Sequence, residues 1–599
     1  MARRLALAVA AAAALLAAPA PALADLRFSR ACEGSNFECA RLVVPLDRSG
    51  RVPGEVELYV ERARGARRAR GAVFALAGGP GQGATTLTEA FNRDLFGAIG
   101  PRDLIVVDQR GTGRSGALRC RALDVPDDRP IDVRTAACAR RLGARRSLYT
   151  TRDSVADLEA VRAALGIDRI TLLGVSYGTK VALAYAATHP DHVERLVLDS
   201  VVDVPGQDPF DADGLAALPR VLDEICRGEC AAVTRDLAAD VAALAGRLQD
   251  APLRGPVVSA RGRARTRELT GRALYSLIRA GDGLPDTRAA LPSAVRAALD
   301  GDPAPLLRLE HRFDDLDPGP PTPEQVRDGA RSLSFTLQAA TLCEEAPLPW
   351  ERAAPPAQRA AQAEAAALAR PDAAFAPFGR AALLAEDANS LLLQCRRWPA
   401  APAAPSLPPA VPDVPALLLA GREDTRTPLE VAQRVAARLP RGALVEVPKT
   451  GHAVLGQQPC ARRAVARFFA GRPVGEPCRA AQRAVAVSPA APRALTALAP
   501  GEAGLRRATA LTLADLAQLR ASGFGLEREG GLRAGWYAAG AEHVRLRGFS
   551  FVEGVALSGR LRLDRAGAAR GQVQVRAGRA RALAVVAGDE LRRFVPLRR

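Results

Sequence analysis

The chain has 599 residues, of which 48% are hydrophobic, 83 are Lys or Arg and 65 are Asp or Glu, so that its formal net charge is +18. This length exceeds one domain, and the hydrophobic share suffices to build cores of ordinary size. Nearly all basic residues are Arg, with Lys180 and Lys449 as the only lysines. Because no aromatic-interleaved basic stripe or nucleic-acid motif occurs, we predict no nucleic-acid partner and interpret the charge as a surface property that favours anionic cell-envelope polymers.

The first predicted element is a signal peptide over residues 1–24. A charged start that contains Arg3 and Arg4 leads into an Ala/Leu run and ends in Ala22-Leu-Ala24, the small residues of a cleavage site. The run is too short and too rich in Ala for a membrane span, and no later one is found. We therefore expect a secreted or cell-envelope protein with no transmembrane span after signal removal.

Apolar strand patterns alternate with helical patterns over residues 25–205, which is typical of a parallel sheet covered on both faces. The strand candidates are Arg41–Pro45, Val56–Val60, Val73–Leu76, Leu104–Val107, Ile170–Leu173 and Leu196–Leu198. Ala/Arg/Leu helical patterns replace them over residues 206–405, and strands resume over residues 406–480. The middle segment is therefore predicted to be a helical lid inserted into a mostly parallel α/β core, where it restricts access of substrate and water.

A catalytic nucleophile is predicted at Ser176, within Gly174-Val-Ser-Tyr-Gly178. The segment follows a buried strand and opens a helix, and the small residues two before and two after the Ser let the chain turn sharply. The hydroxyl then projects above the sheet edge, with the helix amino terminus beneath it. The alternative interpretation is an ordinary tight turn that caps a helix.

An acid and a base follow downstream in the order that this arrangement requires. Asp424 follows the apolar run Ala416–Ala420, and His452 follows Ala443–Val447. An imidazole can remove the proton of Ser176, and a carboxylate fixes the tautomer of that imidazole. The other four histidines lie in a turn, in the lid or near the carboxyl terminus. Glu423 is the alternative to Asp424.

An oxyanion hole is predicted at a third strand end, where Ala72–Leu76 runs into a glycine-rich turn. Glycine lets backbone N–H groups approach a substrate oxygen closely, and the second donor is the residue after the nucleophile, here Tyr177. We assign the first donor to Gly79, with Gly78 as the alternative. The turn lacks the Lys-Ser/Thr of a phosphate-binding loop.

Four motifs in register carry a family resemblance, namely Gly78-Gly-Pro-Gly81, Asp108-Gln-Arg-Gly-Thr-Gly-Arg-Ser115, Gly174-Val-Ser-Tyr-Gly-Thr179 and Gly421-Arg-Glu-Asp-Thr-Arg-Thr-Pro428. From about Leu42 to Cys478 the chain resembles the α/β-hydrolase serine peptidases, the proline iminopeptidases and secreted tripeptidyl aminopeptidases. Many cytoplasmic members carry His before the Gly-Gly-Pro-Gly, where this chain has Ala77, as in the secreted branch.

The resemblance implies that the substrate is a peptide with a free amino terminus, processed through an acyl-enzyme. It also implies an acid in or beside the lid that pairs with the substrate α-ammonium by a charge-assisted hydrogen bond. Ala340-Thr-Leu-Cys-Glu-Glu345 is similar to the stretch that carries this acid, so Glu344 and Glu345 are candidates. A solvated Glu pair beside a disulfide is the alternative.

Ten cysteines agree with export, because an even set usually pairs in an oxidising compartment. Plausible local bridges are Cys32/Cys39, Cys120/Cys138, Cys226/Cys230 and Cys460/Cys478, which leaves Cys343 with Cys395. No Cys cluster is joined by His at ligand spacing, so we predict neither a metal nor a cofactor.

Past Cys478 the resemblance fades into a predicted linker over residues 481–505. Alternating patterns at Val544–Val552, Gly559–Leu563 and Gly571–Arg576 then predict a small β-rich accessory domain over residues 506–599. The chain as a whole is predicted to be a secreted serine exopeptidase. An esterase or other acyl hydrolase of the same fold is the first alternative, and an inactive hydrolase scaffold that binds the envelope is the second.

Overall fold

The computed structural model describes residues 26–30, 32, 35–65, 69–125, 127–312, 322–385, 390–400, 413–521 and 527–597. The predicted signal peptide, residues 1–24, and the predicted boundary of the lid at residue 405 lie outside the described residues.

The first part of the core alternates strands and helices. The strands are β1 (Glu38–Pro45), β2 (Glu55–Ala63), β3 (Ala72–Leu76), β4 (Asp103–Val107), β5 (Ile170–Val175) and β6 (Val193–Asp199). The helices are α1 (Thr88–Leu95), α2 (Arg121–Asp124), α3 (Ile131–Leu142), α4 (Thr151–Ala164) and α5 (Tyr177–Thr188). All five residues of β3 are buried, as expected for a strand covered by helices on both faces.

An insertion separates β6 from the rest of the core. It contains α6 (Ala212–Cys226), α7 (Leu237–Asp250), β7 (Leu253–Val258), β8 (Ala264–Leu269), α8 (Gly271–Ala280), α9 (Pro285–Leu299), α10 (Ala304–His311), α11 (Pro323–Ser332), α12 (Phe335–Glu345), α13 (Pro356–Leu368), α14 (Arg380–Leu384) and α15 (Leu391–Arg396). The antiparallel hairpin of β7 and β8 was not predicted, because β8 is mostly exposed and polar and so lacks an apolar alternation.

The core resumes with β9 (Ala416–Gly421), α16 (Leu429–Arg438), β10 (Gly442–Val447), α17 (Val454–Gln457) and α18 (Pro459–Phe469). Among the described residues, eight strands form one sheet in the order β1-β2-β4-β3-β5-β6-β9-β10. The pairs from β4 to β10 are parallel, whereas β1 and β2 are antiparallel to their neighbours. The carboxyl ends of β3, β5, β9 and β10 therefore meet at one edge, and each is followed by a predicted site motif.

The carboxyl-terminal region begins with α19 (Gly501–Ala521), a helix that the β-rich prediction did not include. The strands β11 (Arg528–Gly530), β12 (Ala534–Ala539), β13 (His543–Ser550), β14 (Val555–Leu563), β15 (Ala569–Ala577), β16 (Ala580–Ala587) and β17 (Glu590–Pro596) follow. They form an antiparallel sheet in sequence order, and apolar residues of α19 pack on one face of it. Ala and Leu occur on nearly all sides of α19, so its sequence shows no clear helical periodicity. For this reason the helix was not predicted.

This region packs on the insertion through charged contacts. Arg308 of α10 forms two hydrogen bonds with Asp515 of α19, at 2.9 and 2.5 Å. Arg533 binds Asp302 through both guanidinium Nη atoms. The carboxyl-terminal sheet therefore lies against the insertion, at α10 and at the loop before it.

The ten cysteines, all within the described residues, form five disulfides. They join Cys32 to Cys39, Cys120 to Cys138, Cys226 to Cys230, Cys343 to Cys395 and Cys460 to Cys478, which confirms the pairings that the sequence favoured. Within the described residues, no helix is both long and apolar enough to cross a membrane.

Candidate active site

Ser176 occupies the sharp turn between β5 and α5. Its φ of +56° lies in the left-handed region that non-glycine residues rarely adopt. The turn leaves no room for side chains beside it: a Cβ on Gly174 would lie 2.4 Å from the carbonyl oxygen of Gly178, and one on Gly178 would lie 2.5 Å from the carbonyl oxygen of Leu76. The two glycines thus allow the elbow that the sequence predicts.

Asp424 and His452 meet at the ends of the neighbouring strands β9 and β10. The distance from Nδ1 of His452 to Oδ2 of Asp424 is 2.8 Å. Oδ1 of Asp424 also accepts the backbone N–H groups of Arg426 and Thr427, and Oδ2 accepts the hydroxyl of Thr427 at 2.6 Å. Every carboxylate oxygen of this fully buried Asp is therefore satisfied.

This contact sets the ionisation of both partners. Burial alone would raise the pKa of Asp424, but the charge and hydrogen bond of His452, together with the bonds from Thr427, lower that pKa to about 2. Burial alone would lower the pKa of His452, and the charge and hydrogen bond of Asp424 raise it above its ordinary value instead. A carboxylate that stays charged holds the proton on Nδ1 and leaves Nε2 to act as the base.

Glu423, the alternative acid, points to other partners. Its buried carboxylate is 3.0 Å from Nη1 of Arg288 and receives two hydrogen bonds from Arg483, at 2.7 and 2.9 Å. The structure thus brings Asp424, and not Glu423, to His452.

The end of β6 joins the loop of Ser176 to the loop of His452. The backbone N–H of Ser176 donates to the carbonyl oxygen of Asp199 at 2.9 Å. The Asp199 carboxylate accepts the N–H groups of Val454 and Leu455, and the hydroxyl of Ser200 accepts the N–H of Ala453. This link was not predicted, although the Asp-Ser dipeptide at the end of an apolar strand resembles the signal that located Asp424.

The predicted oxyanion loop lies directly over the nucleophile. A Cβ on Gly78 would be 3.0 Å from Cβ of Ser176, and the N–H of Gly78 donates to Oε1 of Gln82 at 3.3 Å. Gly79 has a φ of +106°. Tyr177 is the first residue of α5, so its N–H is among those without an intrahelical acceptor.

Asp108, in the motif that follows β4, binds the segment just after the predicted oxyanion loop. Its carboxylate accepts the N–H and the hydroxyl of Thr85, at 2.8 and 2.7 Å, and the N–H of Arg114 at 2.7 Å. A Cβ on Gly113 would lie 2.1 Å from this carboxylate, which explains a glycine there. The motif therefore has a supporting role.

The insertion closes on the same loop. The N–H of Ser334 donates to the carbonyl oxygen of Gly81 at 2.9 Å, and the N–H of Gly83 donates to that of Ser332 at 3.0 Å. The junction between α11 and α12 thus covers the glycine-rich turn.

Glu344 and Glu345, at the end of α12, have different surroundings. Glu345 is 2.8 Å from Nζ of Lys180 on α5 and accepts the N–H and the hydroxyl of Thr151, whose hydroxyl lies 2.7 Å from that of Tyr177. Glu345 is therefore connected to α5, the helix that follows Ser176, and its side chain is largely buried.

Glu344 binds a different set of partners. Its Oε1 accepts the indole N–H of Trp398 at 2.8 Å and lies 3.4 Å from Nε of Arg146, and burial raises its pKa. Neither glutamate forms the solvated pair that was the alternative interpretation. In the part of the chain that the structure describes, no group of three or more His, Cys, Asp or Glu is arranged to hold a metal ion.

Comparison with known proteins agrees with this geometry. A family model described as the alpha/beta hydrolase fold matches residues 75–225, and one described as TAP-like protein matches residues 381–474. The chain has the α/β-hydrolase fold. The first match spans the predicted oxyanion loop and the turn at Ser176, and the second spans Asp424 and His452.

Three curated relatives are peptidases. The tripeptidyl aminopeptidase of Streptomyces lividans is 31% identical over 29% of this chain and 36% of its own length. The proline iminopeptidase of Neisseria meningitidis serogroup B is 38% identical over 22% and 32%, and serine protease Hip1 of Mycobacterium tuberculosis is 32% identical over 29% and 38%. The matched part of this α/β-hydrolase therefore spans only about a third of the length of each relative.

Proposed function

We propose that this α/β-hydrolase is a serine exopeptidase that removes residues from the free amino terminus of peptides. The contact between Asp424 and His452, at 2.8 Å and at the same sheet edge as the elbow of Ser176, carries the proposal. The peptidases among its relatives support the choice of an amide substrate.

In the acylation step, Nε2 of His452 takes the hydroxyl proton of Ser176 while Oγ forms a bond to the substrate carbonyl carbon. The backbone N–H groups of Gly79 and Tyr177, with Gly78 as the alternative to Gly79, stabilise the negative charge on the carbonyl oxygen. The C–N bond then breaks as protonated His452 gives its proton to the leaving nitrogen. The shortened peptide departs, and the amino-terminal part stays on Ser176 as an ester.

In the deacylation step, water takes the place of the leaving amine. His452 removes a proton from the water as its oxygen attacks the ester carbon, and returns that proton to Oγ of Ser176 when the ester bond breaks. The charged Asp424 stabilises the imidazolium in both steps.

Glu345 is the better of the two candidates for binding the substrate α-ammonium. A carboxylate offers about four acceptor positions, and the hydrogen bonds from Thr151 and Lys180 use three. One position is left for an ammonium donor. Glu344 is occupied by Trp398 and Arg146, so we assign it a structural part in this proposal.

Two other functions compete. An esterase would use the same triad without an acid for the α-ammonium, and a catalytically inactive scaffold would need no triad. The buried, fully hydrogen-bonded Asp424 favours an enzyme over a scaffold, because triad members contribute to catalysis as a unit.

The deciding experiment compares purified wild type with Ser176→Ala on matched substrates. These are free-amino and acetyl-blocked Pro and Ala-Pro-Ala anilides and a short-chain ester. Cleavage of only the unblocked anilides, lost in the variant, is expected, and the preferred anilide tells one-residue from three-residue release. Ester cleavage that ignores blocking would identify an esterase, and unchanged biological activity of Ser176→Ala would identify a scaffold.

We also propose export and association with an anionic cell envelope. The disulfides agree with an oxidising compartment, and the outer face of the carboxyl-terminal sheet is rich in exposed arginines, which are Arg545, Arg547, Arg560, Arg562, Arg570 and Arg576. Arg545 lies opposite Arg560, and Arg562 opposite Arg570, on neighbouring strands. Like charges directly opposite each other destabilise a sheet. An anionic partner would reduce this repulsion. Recovery of the protein from the envelope fraction by high salt would support this, and recovery in the cytoplasm would contradict it.

A further inference from the structure

One residue of the insertion, Asp282, contacts both loops of the proposed triad. It lies between α8 and α9 and is 1% exposed. Its Oδ2 accepts the N–H and the hydroxyl of Thr425, at 2.9 and 2.6 Å, and the N–H of Arg426 at 3.1 Å. These two residues directly follow Asp424, so the carboxylate of Asp282 fixes the loop that carries Asp424.

The main chain of Asp282 fixes the base loop. The N–H of His452 donates to the carbonyl oxygen of Asp282 at 3.0 Å. The packing leaves no spare room, because a Cβ on Gly451 would lie 2.4 Å from that oxygen and 1.9 Å from a guanidinium nitrogen of Arg288. Any shift of the α8–α9 turn would therefore move the backbone that carries His452.

Each element that packs against Asp282 contributes a charged or titratable side chain that faces it. Asp424, Arg426 and His452 face it from the core loops, Arg279 faces it from α8, and Nη2 of Arg288 on α9 lies 3.9 Å from its Oδ1. Burial and the negative charge of Asp424 raise the pKa of Asp282 above its ordinary value. The negative charge of the Asp282 carboxylate adds to that of Asp424 in stabilising protonated His452.

We propose that Asp282 is a positioning residue that holds Asp424 and His452 in register, which makes the insertion part of the catalytic machinery as well as a cover. The proposal rests on the triad assigned above. It predicts that loss of the carboxylate affects the reactivity of Ser176 even towards reagents that never meet the substrate-binding part of the insertion, because the defect lies in the orientation of the base.

The test measures the rate at which a fluorophosphonate labels Ser176, from pH 5 to 9, in wild type, Asp282→Ala and Asp282→Asn. Asp282→Ala leaves the N–H groups of Thr425 and Arg426 without this acceptor, and we expect labelling to slow by roughly 10-fold to 100-fold. Asp282→Asn keeps an acceptor oxygen but removes the charge, so we expect most of the rate to remain and its rise with pH to move to lower pH.

Asp286→Asn is the matched control. Asp286 is a buried carboxylate of the same insertion that binds Arg312 instead of the triad loops, so its labelling rate and pH profile should equal those of wild type. Thermal unfolding of each variant shows whether slower labelling is due to misfolding or to misorientation of His452.

The outcomes separate this inference from the proposed function. Wild-type rates and profiles in both Asp282 variants would overturn the positioning role, as would an equal slowing in Asp286→Asn. If wild type is labelled but cleaves no peptide, only the substrate class fails. If wild-type Ser176 is not labelled at all, the triad assignment and this inference fail together.

Discussion

Arg483, which follows the last disulfide of the core, donates two hydrogen bonds to the buried carboxylate of Glu423. Glu423 directly precedes Asp424, and on its other side it binds Arg288 of α9. Arg483 also binds Glu229 at the end of the α6 region. A residue beyond the core thus stabilises the loop that carries the acid, together with a residue of the insertion.

Arg483→Ala should therefore lower the stability of the whole chain. Removing one partner of a buried ion pair usually costs about 3–5 kcal/mol when the remaining charge stays buried without compensation. Arg288 still pairs with Glu423 here, so the loss should lie near the lower end of that range. The free energy of unfolding, measured in denaturant, should fall by that order. Arg483→Lys keeps a positive charge beside Glu423, so its loss should be smaller, and equal losses in both proteins would contradict the idea that the missing charge is the cause.

Asp424→Asn should nearly abolish catalysis while preserving the fold. The amide cannot hold His452 in the tautomer whose Nε2 is free, and the comparable change in other triads costs roughly 10⁴-fold in kcat. The measurement is kcat on the best unblocked anilide. Glu423→Gln is the control, and it should retain kcat within a few-fold even if its stability falls. Equal loss of kcat in the two variants would remove the distinction between Asp424 and Glu423.

The pH dependence of kcat/KM should follow His452. His452 must be neutral to act as a base, and Asp424 raises its pKa above the ordinary value, so activity should be lost as the pH falls through that raised pKa. In Asp424→Asn the residual activity should persist to lower pH, because the charge that favours the imidazolium is gone. If the pH profile of kcat/KM is the same in Asp424→Asn and wild type, a group other than His452 controls the loss of activity at low pH.

The proposed triad could be predicted from the sequence because each member carries a local signal. Ser176, Asp424 and His452 each follow an apolar strand within a recognisable turn, and the carboxyl ends of parallel strands meet at one edge of a sheet. The disulfides were also predictable, since most join cysteines close in the chain.

Contacts between distant segments left no such signal. Asp282 lies 143 residues before Thr425. It is in the turn between α8 and α9, and the sequence around it shows only the periodicity of these two helices. The contacts of Glu345 with Lys180 and Thr151 likewise depend on how α12 packs on the core, because periodicity reports which face of a helix is buried and does not report what covers that face.

Glu345→Gln should weaken the hydrolysis of peptides with a free amino terminus. Loss of a charge-assisted hydrogen bond costs about 1.5–3 kcal/mol, which corresponds to a roughly 10-fold to 100-fold lower kcat/KM. Glu344→Gln is the matched neighbour and should leave kcat/KM close to wild type. Labelling of Ser176 by a fluorophosphonate should be unchanged in Glu345→Gln. If labelling slows in parallel with peptide hydrolysis, Glu345 supports the elbow helix through Lys180 instead of binding substrate.

Gly530→Ala should disturb the contact between the carboxyl-terminal sheet and the insertion. A Cβ at this position would lie 2.0 Å from the carbonyl oxygen of Val258 and 2.7 Å from that of Ser259, both backbone atoms at the end of β7. Overpacking of this kind costs about 1–3 kcal/mol, which should appear as a lower free energy of unfolding and as faster proteolysis in the loop between β7 and β8.

Gly540→Ala is the matched control, because the nearest atom to its Cβ would be 4.0 Å away, at the carbonyl oxygen of His543. It should unfold and resist protease like wild type. Fluorophosphonate labelling of Gly530→Ala should remain normal if α8 and α9 keep their place. A loss of labelling in this variant would instead show that the carboxyl-terminal sheet holds the α8–α9 turn, and with it Asp282, against the triad.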